Sequence, residues 1–388
     1  MAHGDYQMEI YRAGLVGGHQ PRFPMDYATL ERKASEALPP WIVSYVAGGA
    51  GDEQTQRANV SAFDRWGIMP RMMRAATKRD LSVDLAGIAL PTPLMMAPVG
   101  VLGICTQDLH GDLAAARASA RTGVPLIGST LMQDPMESVA AELGDTPGFY
   151  QLYTPNDREI AESLVRRAER SGYRGIVVTA DTWVTGWRPR DLSTANFPQL
   201  RGYCLMNYFS DEVFRSRLAT DPQQDPAAAI ELFGRVFGQS LSWDDLDWLR
   251  GITDLPLMVK GLCDPEDVRR AIDSGVDVIY CSNHGGRQAN GGLSALQLLP
   301  AVVDAAEDTP VVFDSGVRSG THVAKAIAMG ATAVAIGRPY AWAAAVGGED
   351  AIVHLLRSLL AEADLLMAVD GYASLAELRE AGAIDAVS

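Results

Sequence analysis

Residues 311–338 read VVFDSGVRSGTHVAKAIAMGATAVAIGR. The stretch begins with a short apolar run, passes through a glycine-bearing turn into a helical pattern over 322–329, and ends in a second apolar run at 333–336. A strand, a crossover helix and a second strand in this order are typical of a parallel sheet, because a tight turn cannot join parallel strands. This stretch therefore predicts an α/β fold.

The same alternation extends back to about residue 93. Eight apolar runs are predicted strands, at 94–99, 126–130, 149–153, 176–181, 257–260, 278–283, 311–314 and 333–336. Helical patterns follow most of them, at 112–122, 136–143, 157–171, 265–274, 296–307 and 322–329. Eight strands with crossover helices predict a closed (β/α)8 TIM barrel. A doubly wound open sheet is the alternative, but the chain lacks both a Gly-x-Gly-x-x-Gly turn after a strand and a Gly-Lys dipeptide.

The chain is expected to form a single domain over 1–388. Residues 1–85 are predicted to be an N-terminal helical extension, with helical patterns at 27–37 and 54–63, and residues 86–388 the barrel. The strand spacing breaks once, where a polar segment at 182–242 precedes a helical pattern at 243–252. Long loops in compact domains often cover a binding site, so this segment is predicted to be a lid-like insertion over the catalytic face.

Composition excludes several classes of protein. The 388 residues are 47% hydrophobic, and the net charge of −15 opposes binding to nucleic acid or to anionic lipid. The four cysteines are far apart and show no metal-binding spacing. The uncharged stretch 85–107 is interrupted by proline and glycine, which favours a buried strand over a membrane span. We expect a cytoplasmic protein without a metal, a nucleic-acid partner or a membrane partner.

Polar side chains follow the predicted strands where the mouth of a barrel would gather them. His284 is the one histidine at a predicted strand end, and a neighbouring Arg287 makes it a candidate general base beside a carboxylate-binding cation. The turns after the last two strands carry glycine and arginine, which favours a phosphate site. The alternatives are a histidine satisfied in the core and glycine turns that have no ligand.

Residues 282–288 read SNHGGRQ, and this motif resembles that of the FMN-dependent 2-hydroxy acid oxidases and dehydrogenases. The resemblance covers nearly the whole chain and is greatest to the lactate 2-monooxygenases of that family. The other matching segments are SYVAGG at 44–49, GWRPRD at 186–191, NFP at 196–198, RG at 201–202 and GRPYAW at 337–342. The resemblance implies a TIM barrel that binds FMN.

The resemblance also implies roles for individual residues. His284 would take the proton of the substrate hydroxyl, Asp181 would support its imidazolium, and Lys260 would lie at the N1/C2 edge of the flavin. The implied substrate contacts are Arg188 and Arg287 on the carboxylate, and Tyr45 and Tyr153 on the carboxylate and hydroxyl. The implied contacts to the flavin ring are Pro98, Val99, Gly100, Ser129, Gln151, Thr179 and Ser282. Those to the ribityl phosphate are Asp314, Gly316, Arg318, Gly337 and Arg338.

The implied activity is oxidation of a small, lactate-like L-2-hydroxy acid with O2, and decarboxylation to acetate, CO2 and water. One alternative is an oxidase that releases the 2-oxo acid and H2O2, and another is a dehydrogenase that acts on a bulkier 2-hydroxy acid. A flavin protein without turnover and a barrel that acts on a phosphorylated metabolite also stay open. The resemblance further implies a homo-oligomer, specifically a homotetramer.

Overall fold

A computed structural model describes residues 2–238, 241–380 and 382–387. The strands in this part of the chain are short, and most of them belong to one barrel. They are β1 (Trp66–Ile68), β2 (Val83–Leu85), β3 (Ile88–Leu90), β4 (Leu94–Met96), β5 (Leu126–Ser129), β6 (Gly148–Leu152), β7 (Ile176–Thr179), β8 (Leu257–Lys260), β9 (Val278–Cys281), β10 (Val311–Phe313), β11 (Ala333–Ile336) and β12 (Ile384–Ala386).

The helices connect and surround these strands. They are α1 (Asp5–Gly17), α2 (Tyr27–Ala37), α3 (Pro40–Ala47), α4 (Gln54–Ser61), α5 (Gly111–Thr122), α6 (Met136–Glu142), α7 (Arg158–Arg170), α8 (Pro189–Ser193), α9 (Met206–Phe209), α10 (Glu212–Ser216), α11 (Pro226–Val236), α12 (Trp243–Ile252), α13 (Pro265–Asp273), α14 (Ala295–Ala306), α15 (Gly320–Ala328), α16 (Arg338–Asp370) and α17 (Leu375–Leu378). Several begin at a side-chain cap, such as Asp157 before α7 and Asp264 before α13. Short 3₁₀ helices lie at Ala62–Arg65, Leu102–Cys105, Pro198–Arg201 and His284–Gly286.

Strands β4 to β11 close into a parallel barrel in the order β10-β11-β4-β5-β6-β7-β8-β9. The predicted (β/α)8 TIM barrel is therefore confirmed. The barrel strands are buried along their length because helices cover one face and interior side chains fill the other. The predicted strands overrun the observed ones at the carboxyl end, for example at 97–99 and 180–181, where the chain leaves the sheet and enters the mouth.

The strand register determines where several predicted site residues lie along the barrel axis. Ser129 is paired with Gln151 across β5 and β6, and Thr179 with Lys260 across β7 and β8. All four lie at the carboxyl ends of their strands, so their side chains share one level near the mouth. Below that level, the interior is apolar and includes Tyr280.

The residues before the barrel pack on both of its ends. Strands β2 and β3 form an antiparallel hairpin, whose Leu85 and Leu90 join the interior apolar cluster. The predicted boundary at residue 86 falls in the turn of this hairpin. Strand β1 pairs with β12, which joins the N-terminal extension to the C-terminal segment. The predicted helix over 27–37 coincides with α2, whereas the pattern at 54–63 ends as α4 at Ser61 and continues as a 3₁₀ helix.

The segment 182–242 is not uniformly loop-like. Its second half contains α9 to α11, where Tyr208 is fully buried and packs edge-on against Phe214 and Phe233 at ring distances of 5.4 and 5.2 Å. Its first residues, 182–187, are partly or fully exposed, and Trp187 there is 73% exposed. The packed half is therefore part of the body, and lid-like behaviour stays a prediction for the exposed first part. The predicted helix over 243–252 coincides with α12.

The last barrel turn leads into the long helix α16, which has non-helical backbone angles at Gly347 and Gly348. Helix α16 packs against α2, α5 and α15, and so it links the extension to the barrel wall. No helix in the described part of the chain is both long enough and apolar enough to cross a membrane.

Candidate active site

A cavity at the carboxyl ends of the barrel strands brings most of the predicted site residues together. It contains about 1050 Å³ of empty space, including its opening to solvent. The predicted residues that line it are Tyr45, Pro98, Val99, Gly100, Tyr153, Arg188, Lys260, His284, Arg287, Asp314, Gly316, Arg318, Gly337 and Arg338. The predicted residues that lie behind this lining are Ser129, Gln151, Thr179, Asp181 and Ser282.

His284 lies in a tight turn after β9, with a left-handed backbone φ of 56°. Its Nδ1 is 2.8 Å from Oδ1 of Asp181 and 3.1 Å from Oγ1 of Thr182. The Thr182 hydroxyl donates to the same Asp181 oxygen at 2.7 Å. Because these groups hold Nδ1, Nε2 is the ring nitrogen that is free to exchange a proton.

The protonation states of this pair follow from burial and charge. Burial lowers the pKa of His284 below its ordinary 6.5, and the Asp181 carboxylate offsets only part of this effect. Burial alone would raise the pKa of Asp181, but the charges of Lys260 and His284 outweigh it and hold that pKa below its ordinary range. At neutral pH the pair is therefore a neutral imidazole against a carboxylate, which is the state a general base requires.

Lys260 is a buried cation at the end of β8. Its Nζ lies 3.6 Å from Oδ2 of Asp181 and 4.0 Å from Oδ2 of Asp314. Burial lowers the pKa of Lys260, but the two carboxylates raise it by more, so the net pKa is above its ordinary value. The ammonium group therefore supplies a fixed positive charge to one wall of the cavity.

Hydrogen bonds fix the polar side chains behind this wall. The Ser129 hydroxyl donates to Gln151 Oε1 at 3.0 Å, and Gln151 Nε2 donates to the Thr179 hydroxyl at 3.0 Å. The Ser282 hydroxyl donates to Asp314 Oδ1 at 2.5 Å. All of these groups are buried, so their orientations are set by one another.

Two guanidinium groups lie against the ring of Tyr45. The central carbon of Arg287 is 5.0 Å from the ring centre and that of Arg188 is 5.7 Å from it. No carboxylate oxygen of the described residues lies within 4.0 Å of Arg287, and the nearest to Arg188 belongs to Asp191 at 3.9 Å. Burial and the charge of Arg188 lower the pKa of Arg287 to about 10. A buried cation without a carboxylate in direct contact is suited to bind an anionic ligand.

A second group of cations lies at the ends of β10 and β11. Gly316 has a φ of 90°, and a Cβ there would lie 2.2 Å from the backbone oxygen of Asn59. Arg318 and Arg338 line the cavity beside this turn without a carboxylate within 4.0 Å among the described residues. Burial and the charges of Arg287 and Arg318 lower the pKa of Arg338 to about 9. The backbone turn and the two cations suit a phosphate group.

An aromatic and aliphatic wall covers the space between the cations. Tyr153 packs edge-on against Phe237 at 5.3 Å, and Tyr45 packs edge-on against Phe197 at 6.0 Å. Leu131 completes this wall. Burial raises the pKa of the Tyr153 hydroxyl, so it stays protonated and can donate a hydrogen bond.

Sequence reasoning missed four residues of this site. Thr182 and Gln288 act on predicted residues through hydrogen bonds. Phe197 and Phe237 line the cavity from the segment 182–242. Thr182 could have been found from its place beside Asp181, and Gln288 from its place at the end of the SNHGGRQ motif. Phe197 could have been found from its place in the NFP segment at 196–198, whereas Phe237 carries no local signal.

Comparisons with known proteins identify the family and the fold. The family described as FMN-dependent dehydrogenase matches residues 34–385. The L-lactate oxidase of Lysinibacillus sphaericus is 38% identical over 93% of this chain and 92% of its own length. The 2-hydroxyacid oxidase 1 of Homo sapiens is 36% identical over 88% of this chain and 91% of its own. A solved structure of mandelate oxidase has a TM-score of 0.82 at 33% identity, covering 94% and 98%.

Proposed function

The chain belongs to the FMN-dependent dehydrogenase family, and we propose that it oxidises a small, lactate-like L-2-hydroxy acid with O2 as the electron acceptor. FMN is its cofactor, and FMN-dependent oxidation of a 2-hydroxy acid is its reaction. The observation that carries the proposal is the neutral His284, held by Asp181, in the same cavity as the unpaired cation Arg287.

The residues of the cavity fit FMN. We propose that Gly316, Gly337, Arg318 and Arg338 hold the phosphate, because neither arginine has a carboxylate within 4.0 Å among the described residues. Backbone groups of 98–100 and the side chain of Lys260 line the middle, where we place the ring system. The buried Oδ2 of Asp181 has no hydrogen-bond partner among the described residues, so its charge is balanced by Lys260.

Each step that the chain performs follows from its own groups. We propose that Arg287 and Arg188 bind the substrate carboxylate with Tyr45, and that Tyr153 donates to the substrate hydroxyl. His284 Nε2 then takes the hydroxyl proton, and the Asp181 carboxylate stabilises the imidazolium that results. Bound FMN supplies the acceptor for the two electrons that leave the α-carbon.

We further propose that the 2-oxo acid is retained and decarboxylated. Lactate and O2 then give acetate, CO2 and water, and the atoms balance. Phe197 and Phe237, which both belong to the segment 182–242, cover the cavity and support retention. Slow product release is common where a segment closes over a site. A homotetramer and a cytoplasmic location stay predictions from the sequence.

The second candidate is an oxidase that releases pyruvate and H2O2. It is supported by relatives from two bacteria that carry the name L-lactate oxidase, at 38% and 34% identity. A bulkier substrate is supported by the structural similarity to mandelate oxidase. All of these candidates use the same base and the same cations.

One experiment separates the candidates. The purified yellow protein is mixed anaerobically with L-lactate and its flavin absorbance is followed; air is then admitted, and acetate, pyruvate and H2O2 are quantified in the same tube. Bleaching followed by acetate with little peroxide supports decarboxylation. Bleaching with equal amounts of pyruvate and peroxide supports the oxidase. If lactate does not bleach the flavin but L-mandelate does, the substrate is bulkier.

The pH dependence of the reaction tests the His284–Asp181 pair. Because the pKa of His284 is lowered, kcat/KM is expected to be flat near neutral pH and to fall about tenfold per pH unit below that pKa. Asp181→Asn removes the charge that raises the His284 pKa, so the acid limb should move to lower pH while kcat falls about 10²-fold or more. An acid limb that moves to higher pH would contradict this assignment.

The phosphate assignment is tested by Arg318→Met. Loss of one hydrogen bond to a charged group costs about 1.5–3 kcal/mol, so FMN should bind roughly 10- to 150-fold more weakly. The apoprotein is titrated with FMN, and binding is measured from the quenching of the flavin fluorescence. The matched control is Arg269→Met, since Arg269 is exposed on α13. Equal FMN affinity in the two variants would refute the assignment.

A further inference from the structure

Both the oxygen and the nitrogen of the Gln288 side-chain amide form hydrogen bonds beside the cavity. Its Oε1 accepts from Nη2 of Arg188 at 2.5 Å and from the backbone N–H of Gly186 at 3.4 Å. Its Nε2 donates to the backbone oxygens of Asp181 at 3.0 Å and Val184 at 2.8 Å. The opposite orientation of the amide would face donors with donors and acceptors with acceptors, so these contacts define one orientation.

These bonds join two parts of the chain that are distant in sequence. On one side is the turn that carries His284 and Arg287, and on the other are residues 181–188 at the start of the exposed part of the insertion. Trp183 and Trp187 there are 52% and 73% exposed, so side-chain packing does little to hold this part. Polar contacts must hold it instead.

The backbone of this exposed part comes very close to the turn. A Cβ at Gly186 would lie 2.5 Å from the backbone oxygen of Gln288 and 2.6 Å from that of Arg287. In addition, Nε of Arg188 donates to the backbone oxygen of Arg287 at 3.0 Å. The guanidinium of Arg188 is thus held by the turn on two sides, and it is only 4% exposed.

We propose that Gln288 is a positioning residue for the substrate carboxylate. Its oxygen fixes the guanidinium of Arg188 beside Tyr45 and Arg287, and its nitrogen ties down the backbone on which Arg188 is carried. The inference rests on the proposed function, because it takes Arg188 as a carboxylate ligand. Gln288 itself does not need to touch the substrate. Its effect should therefore depend on Arg188.

The test is a double-mutant cycle of Gln288→Met and Arg188→Met. Met keeps the length of Gln but has no amide. The dissociation constant of L-lactate is measured from the concentration dependence of anaerobic flavin bleaching, and the inhibition constant of the uncharged lactamide is measured in parallel. Gln288→Met should weaken lactate binding about 10-fold, which corresponds to the loss of one hydrogen bond to a charged group. It should change the limiting rate of bleaching by less than about threefold and leave lactamide binding unchanged.

In the Arg188→Met background, Gln288→Met should change the dissociation constant of L-lactate by less than about twofold, because the group that Gln288 positions is absent. A full effect in that background would overturn the inference, and so would equal losses for lactate and lactamide. Gly186→Ala offers a second route, because its Cβ pushes this backbone away while Gln288 stays intact, and it should give the same selective loss. The control is Gln297→Met, on the exposed face of α14, which should leave the binding of both lactate and lactamide unchanged.

Limited proteolysis provides a readout that does not depend on activity. Chymotrypsin should cleave at Trp183 or Trp187 several times faster in Gln288→Met than in the wild type, while flavin content stays the same. An unchanged cleavage rate would contradict the inference that Gln288 holds the backbone of residues 181–188. If the wild type is bleached by none of the 2-hydroxy acids, the proposed function fails; if the wild type is active and the cycle is additive, only the role of Gln288 fails.

Discussion

His284→Asn is expected to slow the anaerobic bleaching of the flavin by a 2-hydroxy acid by about 10³-fold, within the range known for the loss of a general base. The physical reason is that no other neutral base lies against the Asp181 carboxylate in the cavity among the described residues. Asparagine is chosen because it tolerates the left-handed backbone at this position, where φ is 56°. The measurement is the limiting rate at saturating substrate.

Binding of FMN and folding should be unaffected by this change, so flavin content and the unfolding midpoint serve as internal controls. A second control is His110→Asn, because His110 is a partly exposed histidine that also pairs with an aspartate, Asp134, at 2.7 Å. That variant should bleach at the wild-type rate. A His284→Asn protein that keeps more than about a tenth of the wild-type rate would show that the proton leaves by another group.

Arg287→Met is expected to lower kcat/KM for a 2-hydroxy acid by roughly 30- to 4000-fold, which corresponds to about 2–5 kcal/mol for truncating one partner of a buried charge pair. No carboxylate oxygen of the described residues lies within 4.0 Å of Arg287, and the substrate is its proposed counter-ion. The loss should be largest in substrate binding, as measured by the concentration dependence of bleaching.

Arg287→Lys separates charge from geometry. A lysine restores the positive charge but not the planar pair of donors that matches a carboxylate, so it should recover only part of the loss. Uncharged 2-hydroxy amides should bind the wild type and Arg287→Met almost equally. Equal losses for the acid and the amide would indicate that Arg287 supports the fold rather than the carboxylate.

The barrel was predictable from the sequence because its strands are buried on both faces and its helices have one apolar side. These two patterns are local, and they locate β4 to β11 within a few residues. Helix α3 (Pro40–Ala47) was not predicted, since its sequence PWIVSYVA is apolar all round and has no helical period. The pairing of β1 with β12 was also not predictable, because it joins two segments that are far apart in the sequence.

In the site, too, residues with a local sequence pattern were predictable, and residues defined by contacts to distant parts of the chain were not. His284, Arg287 and Lys260 were predictable because a polar side chain at the end of an apolar strand points into the mouth of a barrel. Gln288 and Thr182 were missed because most of their contacts are to residues at least 100 positions away. Phe237 was missed because it comes from the end of α11, and nothing in its local sequence shows which surface it covers.

The backbone oxygen of Val46 accepts hydrogen bonds from Arg287 at 3.4 Å and from Arg338 at 3.0 Å, across 241 and 292 positions of sequence. Because these contacts join distant parts of the sequence, we expect the centre to be complete only when the whole chain has folded. Because only the folded chain can bind the cofactor, binding and unfolding are thermodynamically linked. Release of the flavin should therefore report the unfolding of the whole chain: on heating, the rise in free-flavin fluorescence and the loss of helical signal should follow one curve.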